Sequence, residues 1–392
     1  MPSVLAAPVD FSVSDARYGK SYNLLQNLET EEYDITAYTG RIDSQVACKN
    51  VDVISLGSSS KIDYMASSYR TIYREIQREN FDLYHHMNLG YRWFNPLLVA
   101  GVLDDIPTLI GPAQGGHEIY PQEFNHLIQN ILQLNVPEWI TDPTYQAVKL
   151  GQSTVIDPLR TRLYERTLRK ADKIIAVHKE AEDLLSRFVD RSKIEVIPLG
   201  VDPNDFKFSE RRRTNDLVSI GALKKRKGYD VLLHSLRAVQ EEFPNVHLHV
   251  FGTGPLESEL KEQAMENGVR SNVTFHGYVN QSVLKEYLRD AQAFVHPSRS
   301  ESFSLVRLEA MSTGTPAIVS DTSGAKEMVR EGEDGYVVPV ENQKSLAEAI
   351  KRILSDFELV QEMGRNARNH VEEKYDWRKI GREYVETYNS LL

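Results

Sequence analysis

Residues 217–251 read LVSIGALKKRKGYDVLLHSLRAVQEEFPNVHLHVF, and this stretch shows how the chain is built. Leu217–Ile220 and Val246–Phe251 are short apolar runs with β-branched residues, which is typical of buried strands. Between them, Val231–Glu242 carries apolar residues near positions i, i+3 and i+4, the spacing of an amphipathic helix. A strand, a helix and a second strand in this order predict a parallel βαβ unit.

Similar short apolar runs alternate with amphipathic stretches along almost the whole chain. In the first half, the predicted strands are Val4–Ala6, Asp34–Tyr38, Asp52–Ile54, Leu83–His85, Thr108–Ile110, Lys173–Val177 and Lys193–Ile197. In the second half, further strands are predicted at Val273–Phe275, Ala293–Val295, Ala317–Val319 and Gly335–Val338, and further helices at Leu256–Asn267, Gln343–Ile353 and Trp377–Leu392. Alternation of this kind predicts an α/β fold in which helices cover both faces of parallel sheets.

A turn-rich segment near the middle of the chain marks a domain boundary. Residues 198–206 read PLGVDPNDF and are followed by the polar run ERRRTND. We predict an N-terminal domain over residues 1–200, a second domain over residues 201–376 and a terminal helix over residues 377–392. Each domain would be a doubly wound α/β unit, and the two would present the carboxyl ends of their strands to a shared central cleft.

The composition restricts the class of protein. A length of 392 residues suits two domains or three. The 46 Lys and Arg residues against 56 Asp and Glu residues give a net charge of −10, which argues against general nucleic-acid binding. The single cysteine, Cys48, excludes an intrachain disulfide and a thiolate metal cage. No apolar run approaches the roughly 20 residues of a membrane span, and the N-terminus lacks the basic region of a secretory signal. We therefore expect a cytoplasmic protein.

The densest motif is HPSRSESFSLVRLEAMSTGTP at residues 296–316, directly after a predicted buried strand. A helix is predicted to begin near Phe303, with Ser300 or Ser302 as its cap. The unpaired N–H groups of such a helix start form a site for a phosphate or another anion.

Two acids lie in this motif. Glu301 and Glu309 would be about 12 Å apart in a continuous helix, a span that could reach both ends of an extended ligand. The alternative is that Glu301 is simply an acid at a helix start, where the helix dipole stabilises negative charge, and that Glu309 is an ordinary acid further along the helix.

A second motif, GALKKRKG at residues 221–228, follows the strand Leu217–Ile220. It places four consecutive bases between two glycines at the carboxyl end of a strand, which suits the binding of a diphosphate. Lys227 would supply a point charge, and Gly228 would let the chain turn into the next helix. The alternative is a solvated basic loop, which is the usual role of a run of charges.

Residues 251–257 read FGTGPLE, which starts like a dinucleotide-binding fingerprint but lacks its third glycine. The simpler role of Gly252 is in a tight turn from strand to helix, and a nicotinamide oxidoreductase is disfavoured. The sequence also contains no HExxH, GxxxxGK[ST] or GxSxG motif and no spaced set of Cys and His ligands. A zinc enzyme, a P-loop ATPase and an α/β-hydrolase therefore have no support.

Histidines mark further candidate positions. His85 and His86 follow a strand, and one of them is expected to pack into the sheet. His117 lies in the glycine-rich segment GPAQGGHE at residues 111–118, which makes it a candidate ligand contact and catalytic residue. A structural role is the simplest interpretation for the other histidines considered, His234, His247 and His249.

Taken together, these motifs resemble the retaining glycosyltransferases of family four. Glu301 and Glu309 have the spacing of the family's EX7E signature. The pieces in family order are VIPLGVDPNDF at 196–206, GxLxxxKG at 221–228, FGTGPL at 251–256, TFHGYV at 274–279, Gly324–Glu327 and DGYVVP at 334–339. The resemblance is specific over residues 171–392 and looser over the N-terminal half. It implies the GT-B fold of two Rossmann-like domains, with a terminal helix that crosses back onto the first.

The resemblance also implies roles for individual residues. Glu301 would contact the hydroxyls of a donor sugar, Glu309 the ribose, and Lys227 the diphosphate. Backbone N–H groups that would assist at the diphosphate belong to Ser302, Phe303, Ser304, Leu305 and Val306. The base pocket would be lined by Gly277, Tyr278 and Val279. Gly19 would lie at a glycine loop of the first domain, near the phosphates, and the remaining glycines of the donor site would be Gly221 and Gly252.

The sequence departs from the family pattern at three places. The arginine that commonly follows the first glycine of GxLxxxKG is Ala222 here, so one phosphate contact is lost unless a neighbouring base replaces it; the candidates are Lys224, Lys225 and Arg226. The usual EGFG is ESFS at residues 301–304, which adds two hydroxyls. The frequent HxH of the first domain reads HHM at residues 85–87.

These observations predict a retaining, metal-independent transfer of a sugar from a nucleotide diphosphate-sugar to a hydroxyl acceptor, with no cofactor. The acceptor could be a glycan, a glycolipid, a lipid-linked saccharide or a small molecule. Arginines after Asp157 leave peripheral association with a membrane open, although the acids among them favour a solvated helix face. The alternatives are a nucleotide-sugar epimerase or hydrolase of the same fold and a non-catalytic protein that binds nucleotide sugars.

Overall fold

The structure, a computed structural model, describes residues 1–9, 20–28, 33–39, 51–55, 71, 74, 75, 78, 81–87, 106–113, 165, 166, 168–210 and 214–392. The chain divides into two compact units. The first contains the described residues up to Ile197 together with Glu383–Leu392, and the second contains Pro198–Arg382. The division at Ile197 lies three residues before the boundary that we placed after residue 200.

The first unit contains a parallel sheet. Its described strands are β1 (Ser3–Val9), β2 (Asp34–Thr39), β3 (Val51–Ser55), β4 (Leu83–His86), β5 (Thr108–Ala113), β6 (Lys173–Ala176) and β7 (Ile194–Val196). They are arranged in the order β3-β2-β1-β4-β5-β6-β7. The described helices of the first half of the chain are α1 (Lys20–Asn27) and α2 (Lys179–Leu185).

The second unit contains another parallel sheet. Its strands are β8 (Asp216–Ile220), β9 (His247–Phe251), β10 (Val273–Gly277), β11 (Ala293–His296), β12 (Ala317–Ser320) and β13 (Gly335–Val338), in the order β10-β9-β8-β11-β12-β13. The helices that follow are α3 (Tyr229–Gln240), α4 (Glu257–Glu266), α5 (Gln281–Asp290), α6 (Leu305–Ser312), α7 (Ala325–Met328), α8 (Gln343–Ser355), α9 (Phe357–Lys374) and α10 (Trp377–Leu391).

The predicted α/β fold is confirmed. Every strand expected from the sequence is present, with ends that differ from the expected ones by at most three residues. The opening motif forms the expected βαβ unit, since β8 and β9 pair in parallel and α3 connects them. The apolar stripe of α3 packs in the core of the second unit against alternate residues of β9; the residues concerned are Leu232, Leu236, Val239, Leu248 and Val250.

This topology brings the carboxyl ends of four strands together. The strands β10, β9, β8 and β11 are consecutive neighbours, and all are parallel, so their carboxyl ends share one edge of the sheet. The loop GALKKRKG leaves this edge after β8, and the segment from Pro297 to Ser304 leaves it after β11. Because β8 and β11 are direct neighbours, the two strongest sequence motifs lie side by side.

A buried histidine of the first unit joins its sheet to the end of α10. Nε2 of His85 lies 2.9 Å from the carbonyl oxygen of Gly111, and Nδ1 lies 2.7 Å from the hydroxyl of Tyr388. A carbonyl can only accept, so Nε2 donates and Nδ1 accepts from the tyrosine. The ring of Tyr384 stacks on the imidazole at a centroid distance of 5.7 Å. Both histidines of the pair are buried, whereas we expected burial of one; His86 is 1% exposed.

We predict that His85 makes the stability of the first unit depend on pH. Burial lowers the pKa of its imidazole from 6.5 to about 4, although the hydrogen bond to Gly111 acts in the opposite direction. Below pH 6.5 the unfolded chain therefore binds a proton that the folded unit does not. The free energy of unfolding should fall as the pH drops from about 6.5 to about 4, by up to about 3 kcal/mol.

Urea unfolding between pH 7.5 and pH 4.5 measures this effect. The His85→Gln variant should lose less stability over this range than the wild type, because the titrating group is gone. The exposed His234 serves as the control, and His234→Gln should keep the wild-type pH dependence. Equal pH dependence in the wild type and His85→Gln would contradict the prediction.

Candidate functional site

Glycines allow the loops at the carboxyl edge of the second sheet to pack closely. Gly228 ends the loop GALKKRKG at residues 221–228, called the basic loop below, and has a φ of +68°. A Cβ at this position would lie 2.0 Å from the carbonyl oxygen of Pro297. Gly252 follows β9 with a φ of +127°, and its Cβ would lie 2.1 Å from the carbonyl oxygen of Gly221. Only glycine fits these two positions without movement of the neighbouring backbone. The interpretation of FGTG as a tight turn from strand to helix agrees with this geometry.

The centre of the candidate site is a contact between the two strongest motifs. Nζ of Lys227 donates a hydrogen bond to Oε2 of Glu301, and both side chains are about nine-tenths buried. Nε2 of His296, at the end of β11, lies 3.3 Å from both of these atoms. Residues that are 74 positions apart in the sequence therefore form one compact group.

The charges in this group are coupled. Burial would raise the pKa of the Glu301 carboxyl, but the hydrogen bond with His296 and the charge of Lys227 outweigh it and hold the pKa well below its usual range. Burial lowers the pKa of the Lys227 ammonium, and Glu301 acts in the opposite direction. Burial also lowers the pKa of His296 to about 4, so its ring is neutral at pH 7. The group thus holds an ionised carboxylate beside a lysine.

A second base approaches the same carboxylate. Nη1 of Arg226 lies 3.6 Å from Oε2 of Glu301 and 3.4 Å from the carbonyl oxygen of Ser300. Of the three bases proposed from the sequence as replacements for the missing phosphate contact, Arg226 therefore lies at the site, and Lys224 and Lys225 are exposed in the same turn. The positive charge of these bases at the carboxyl edge of the second sheet suits an anionic ligand.

Arg299, in the segment from Pro297 to Ser304 that carries Glu301, forms hydrogen bonds with the basic loop. Its guanidinium forms two hydrogen bonds with the Asp230 carboxylate, at 2.8 and 2.7 Å, and a third with Oε1 of Glu341 at 2.6 Å. It also donates to the carbonyl oxygen of Lys225 at 2.6 Å, while its backbone N–H donates to that of Arg226 at 2.8 Å. Arg299 therefore holds the two loops in a fixed relation.

The helix after Glu301 begins later than predicted. Residues 302–304 are buried, and α6 starts at Leu305 rather than near Phe303. The N-cap residue is Ser304, whose backbone is extended and whose side chain makes no capping hydrogen bond, so neither Ser300 nor Ser302 is the cap. The reason is that burial of the Phe303 ring, which packs edge-on against Tyr375, holds the segment out of helical conformation. The 12 Å separation expected for a continuous helix therefore does not apply.

The other predicted donor residues are found at the same edge or outside the described residues. Gly277 ends β10 with a φ of +69°, and a Cβ at this position would meet no atom within 4 Å. Tyr278 is 57% exposed, and the neighbouring Val279 is half-buried. Glu309, Leu305 and Val306 are half-buried on α6. Gly19 and His117 lie outside the described residues.

Sequence reasoning missed several residues of this site. The sequence motifs assign no role to His296, which opens the motif at residues 296–316, or to Arg299 and its partner Asp230. The one available signal for His296 was its place at the end of a buried strand, next to the motif that contains Glu301. The contacts of Arg299 depend on the pairing of β8 with β11, which the local sequence does not encode.

Two absences apply to the described part of the chain alone. None of its helices is both long and apolar enough to span a membrane. Nor do three or more His, Cys, Asp or Glu side chains of this part come together in an arrangement that could hold a metal ion.

Comparison with known proteins agrees with these features. The family model described as Glycosyltransferase Family 4 matches residues 21–205, and that described as Glycosyl transferases group 1 matches residues 201–370. An uncharacterized glycosyltransferase of Methanocaldococcus jannaschii is 32% identical over 235 residues, which cover 56% of this chain and 60% of that protein. A D-inositol 3-phosphate glycosyltransferase of Paenarthrobacter aurescens is 28% identical, over 54% of this chain and 56% of its own length. The chain thus spans a little over half the length of these relatives.

Solved structures share the whole fold. Sucrose-phosphate synthase from Thermosynechococcus elongatus superposes with a TM-score of 0.74 at 20% identity, covering 100% of this chain and 99% of that one. Anabaena HepE in complex with UDP gives a TM-score of 0.71 at 15% identity, with both chains covered completely. At such identities the similarity concerns the fold. The two family models, which together match residues 21–370, show that the chain belongs to the family 4 glycosyltransferases, and the solved structures show that it has their GT-B fold.

Proposed function

We propose that the protein transfers a sugar from a nucleotide diphosphate-sugar to a hydroxyl acceptor with retention of anomeric configuration. The observation that carries this proposal is the contact of Lys227 with Glu301 at the carboxyl edge of the second sheet, next to the start of α6. Ligands of doubly wound sheets bind at this edge. A lysine, an arginine and the backbone N–H groups at the start of a helix suit a diphosphate there, and a carboxylate suits sugar hydroxyls.

The arrangement supports one orientation of the donor. The diphosphate would bind Lys227, Arg226 and the N–H groups at the start of α6, and Glu301 would accept hydrogen bonds from the sugar. The ribose would reach Glu309, and the base would lie against the segment from Gly277 to Val279, where the exposed Tyr278 offers an aromatic face. Binding of UDP by Anabaena HepE, a protein of the same fold, supports a nucleoside diphosphate as the ligand class.

The chemistry that we propose is the one that the family resemblance implies. The bond between the anomeric carbon and the β-phosphate oxygen breaks, and the acceptor oxygen forms its bond to that carbon on the same face. The acceptor's proton passes to an oxygen of the leaving diphosphate. Negative charge grows on this diphosphate, so Lys227 and the α6 N–H groups stabilise the transition state more than the ground state. These groups supply the positive charge that the step needs, and we therefore propose a reaction that is independent of a metal ion.

The proposed acceptor is a saccharide, a glycolipid, a lipid-linked saccharide or a small molecule. His117, the candidate ligand contact and catalytic residue of the first domain, lies outside the described residues. A cytoplasmic location and peripheral attachment to a membrane stay predictions.

Product analysis tests the proposal. The protein is incubated with UDP-, GDP- and ADP-activated hexoses and a panel of saccharide and alcohol acceptors, and the products are identified by proton NMR. We expect release of one nucleoside diphosphate and a glycoside with the anomeric configuration of the donor. Glu301→Gln should abolish this product and keep the fold, as checked by circular dichroism.

The other outcomes separate the alternatives. A glycoside of opposite configuration would contradict retention. Free sugar or an epimerised nucleotide sugar formed without an acceptor would instead identify a hydrolase or an epimerase. Nucleotide-sugar binding without turnover on any acceptor would identify a non-catalytic binding protein.

A further inference from the structure

A buried arginine lies on the helix that begins beside the candidate site. Arg307 is 1% exposed and is among the largest fully buried side chains of the described residues. Its Nη1 contacts Sδ of Met328 at 3.5 Å, and its Nε has no hydrogen-bond partner within the described part of the chain. No carboxylate of the described residues forms an ion pair with Arg307. Burial of a guanidinium in this way costs several kcal/mol, so an isolated structural role does not explain the residue.

The charges near Arg307 belong to the donor site. Burial lowers its pKa to about 10, while the Glu301 carboxylate acts in the opposite direction. The guanidinium in turn disfavours protonation of Lys227 and of His296. Arg307 therefore lies within electrostatic reach of the whole group around Glu301, and it is cationic at neutral pH.

The group carries more positive than negative charge. Lys227 and Arg226 contact the Glu301 carboxylate directly, and Arg307 acts on it from the interior. Three cations thus share one carboxylate, which leaves an excess of two positive charges. Two further acids near the basic loop, Asp230 and Glu341, both pair with Arg299. An anion of charge −2 or −3 would balance this excess.

We infer that Arg307 is a buried positive charge that strengthens the binding of the donor's diphosphate and of the leaving nucleoside diphosphate. This inference rests on the proposed function. A nucleoside diphosphate carries more negative charge than its sugar conjugate. Arg307 should therefore contribute more to binding of the free nucleotide than to binding of the nucleotide sugar, and more to kcat than to KM.

Two substitutions test the inference. Arg307→Met removes the charge and keeps the length of the side chain, and Arg307→Lys keeps the charge. UDP, GDP and ADP are titrated calorimetrically into the wild type, and the nucleotide that binds is then titrated, with its nucleoside, into each variant. We expect Arg307→Met to bind the nucleotide about tenfold more weakly and the nucleoside with unchanged affinity. Arg307→Lys should stay within about threefold of the wild type.

Thermal stability distinguishes this role from a structural one. Replacement of an unpaired buried charge by an apolar side chain should leave the Tm unchanged or raise it. The control Arg237→Met removes an exposed arginine from α3 and should change neither affinity nor Tm. Wild-type affinity in Arg307→Met, an equal loss for nucleotide and nucleoside, or a lowered Tm would overturn the inference. If none of the three nucleotides binds the wild type, the proposed function fails, and the inference fails with it.

Discussion

Replacement of Lys227 by alanine is expected to lower the rate of sugar transfer by about 10²–10³-fold and to leave the protein folded. The ammonium group contacts Glu301, and in the proposed reaction it also faces the diphosphate on which negative charge grows. Loss of one such preorganised donor removes stabilisation that the transition state uses. The Glu301 carboxylate would still have Arg226 and His296 as neighbours, so the local structure should persist.

Release of the nucleoside diphosphate from the donor measures this rate. The matched control is Lys344→Ala, which removes a lysine whose side chain is 88% exposed at the start of α8. This variant should keep the wild-type rate. Full activity in Lys227→Ala would show that the site is assigned to the wrong residues.

Substitution of Gly228 by alanine is expected to lower the free energy of unfolding of the second unit by about 3 kcal/mol or more. The backbone of Gly228 has a φ of +68°, and the new Cβ would lie 2.0 Å from the carbonyl oxygen of Pro297. The basic loop and the Pro297 turn would have to separate, which would also move Lys227 away from Glu301. Weaker donor binding should therefore accompany the loss of stability.

Gly332 provides a matched control. Its φ is +76°, but its Cβ would meet no atom within 4 Å. Gly332→Ala should therefore show the cost of the backbone conformation alone, on the order of 1 kcal/mol. Urea unfolding of both variants separates conformational strain from the collision with Pro297. Equal losses of stability would contradict the close packing described for Gly228.

The sequence predicts the strands well because their signal is local. Runs such as Leu217–Ile220 and Gly335–Val338 are apolar and bounded by turn residues, and a buried parallel strand needs little else. The motifs at residues 221–228 and 296–316 could also be placed at the carboxyl ends of strands. Their direct contact could not be derived, because it depends on β8 lying next to β11.

Predictions from local sequence were wrong where the burial of a side chain determined the structure. Ser302 precedes an apolar run and satisfies the usual preference for a helix cap, but the burial of Phe303 keeps the chain out of helical conformation up to Ser304. Arg307 lies in a helical segment, where an arginine is usually solvated, and its enclosure depends on packing that includes Met328. Packing between distant segments thus sets the details of the site.

Titration of UDP, GDP and ADP into the wild type and Lys227→Ala tests the central claim, a nucleoside diphosphate site at Lys227 and Glu301, most directly. We predict that one of the three nucleotides binds the wild type, and that its affinity falls at least tenfold in Lys227→Ala while that of its nucleoside does not change. Equal affinity of the nucleotide for both proteins, or no binding of any of the three to the wild type, would contradict the claim.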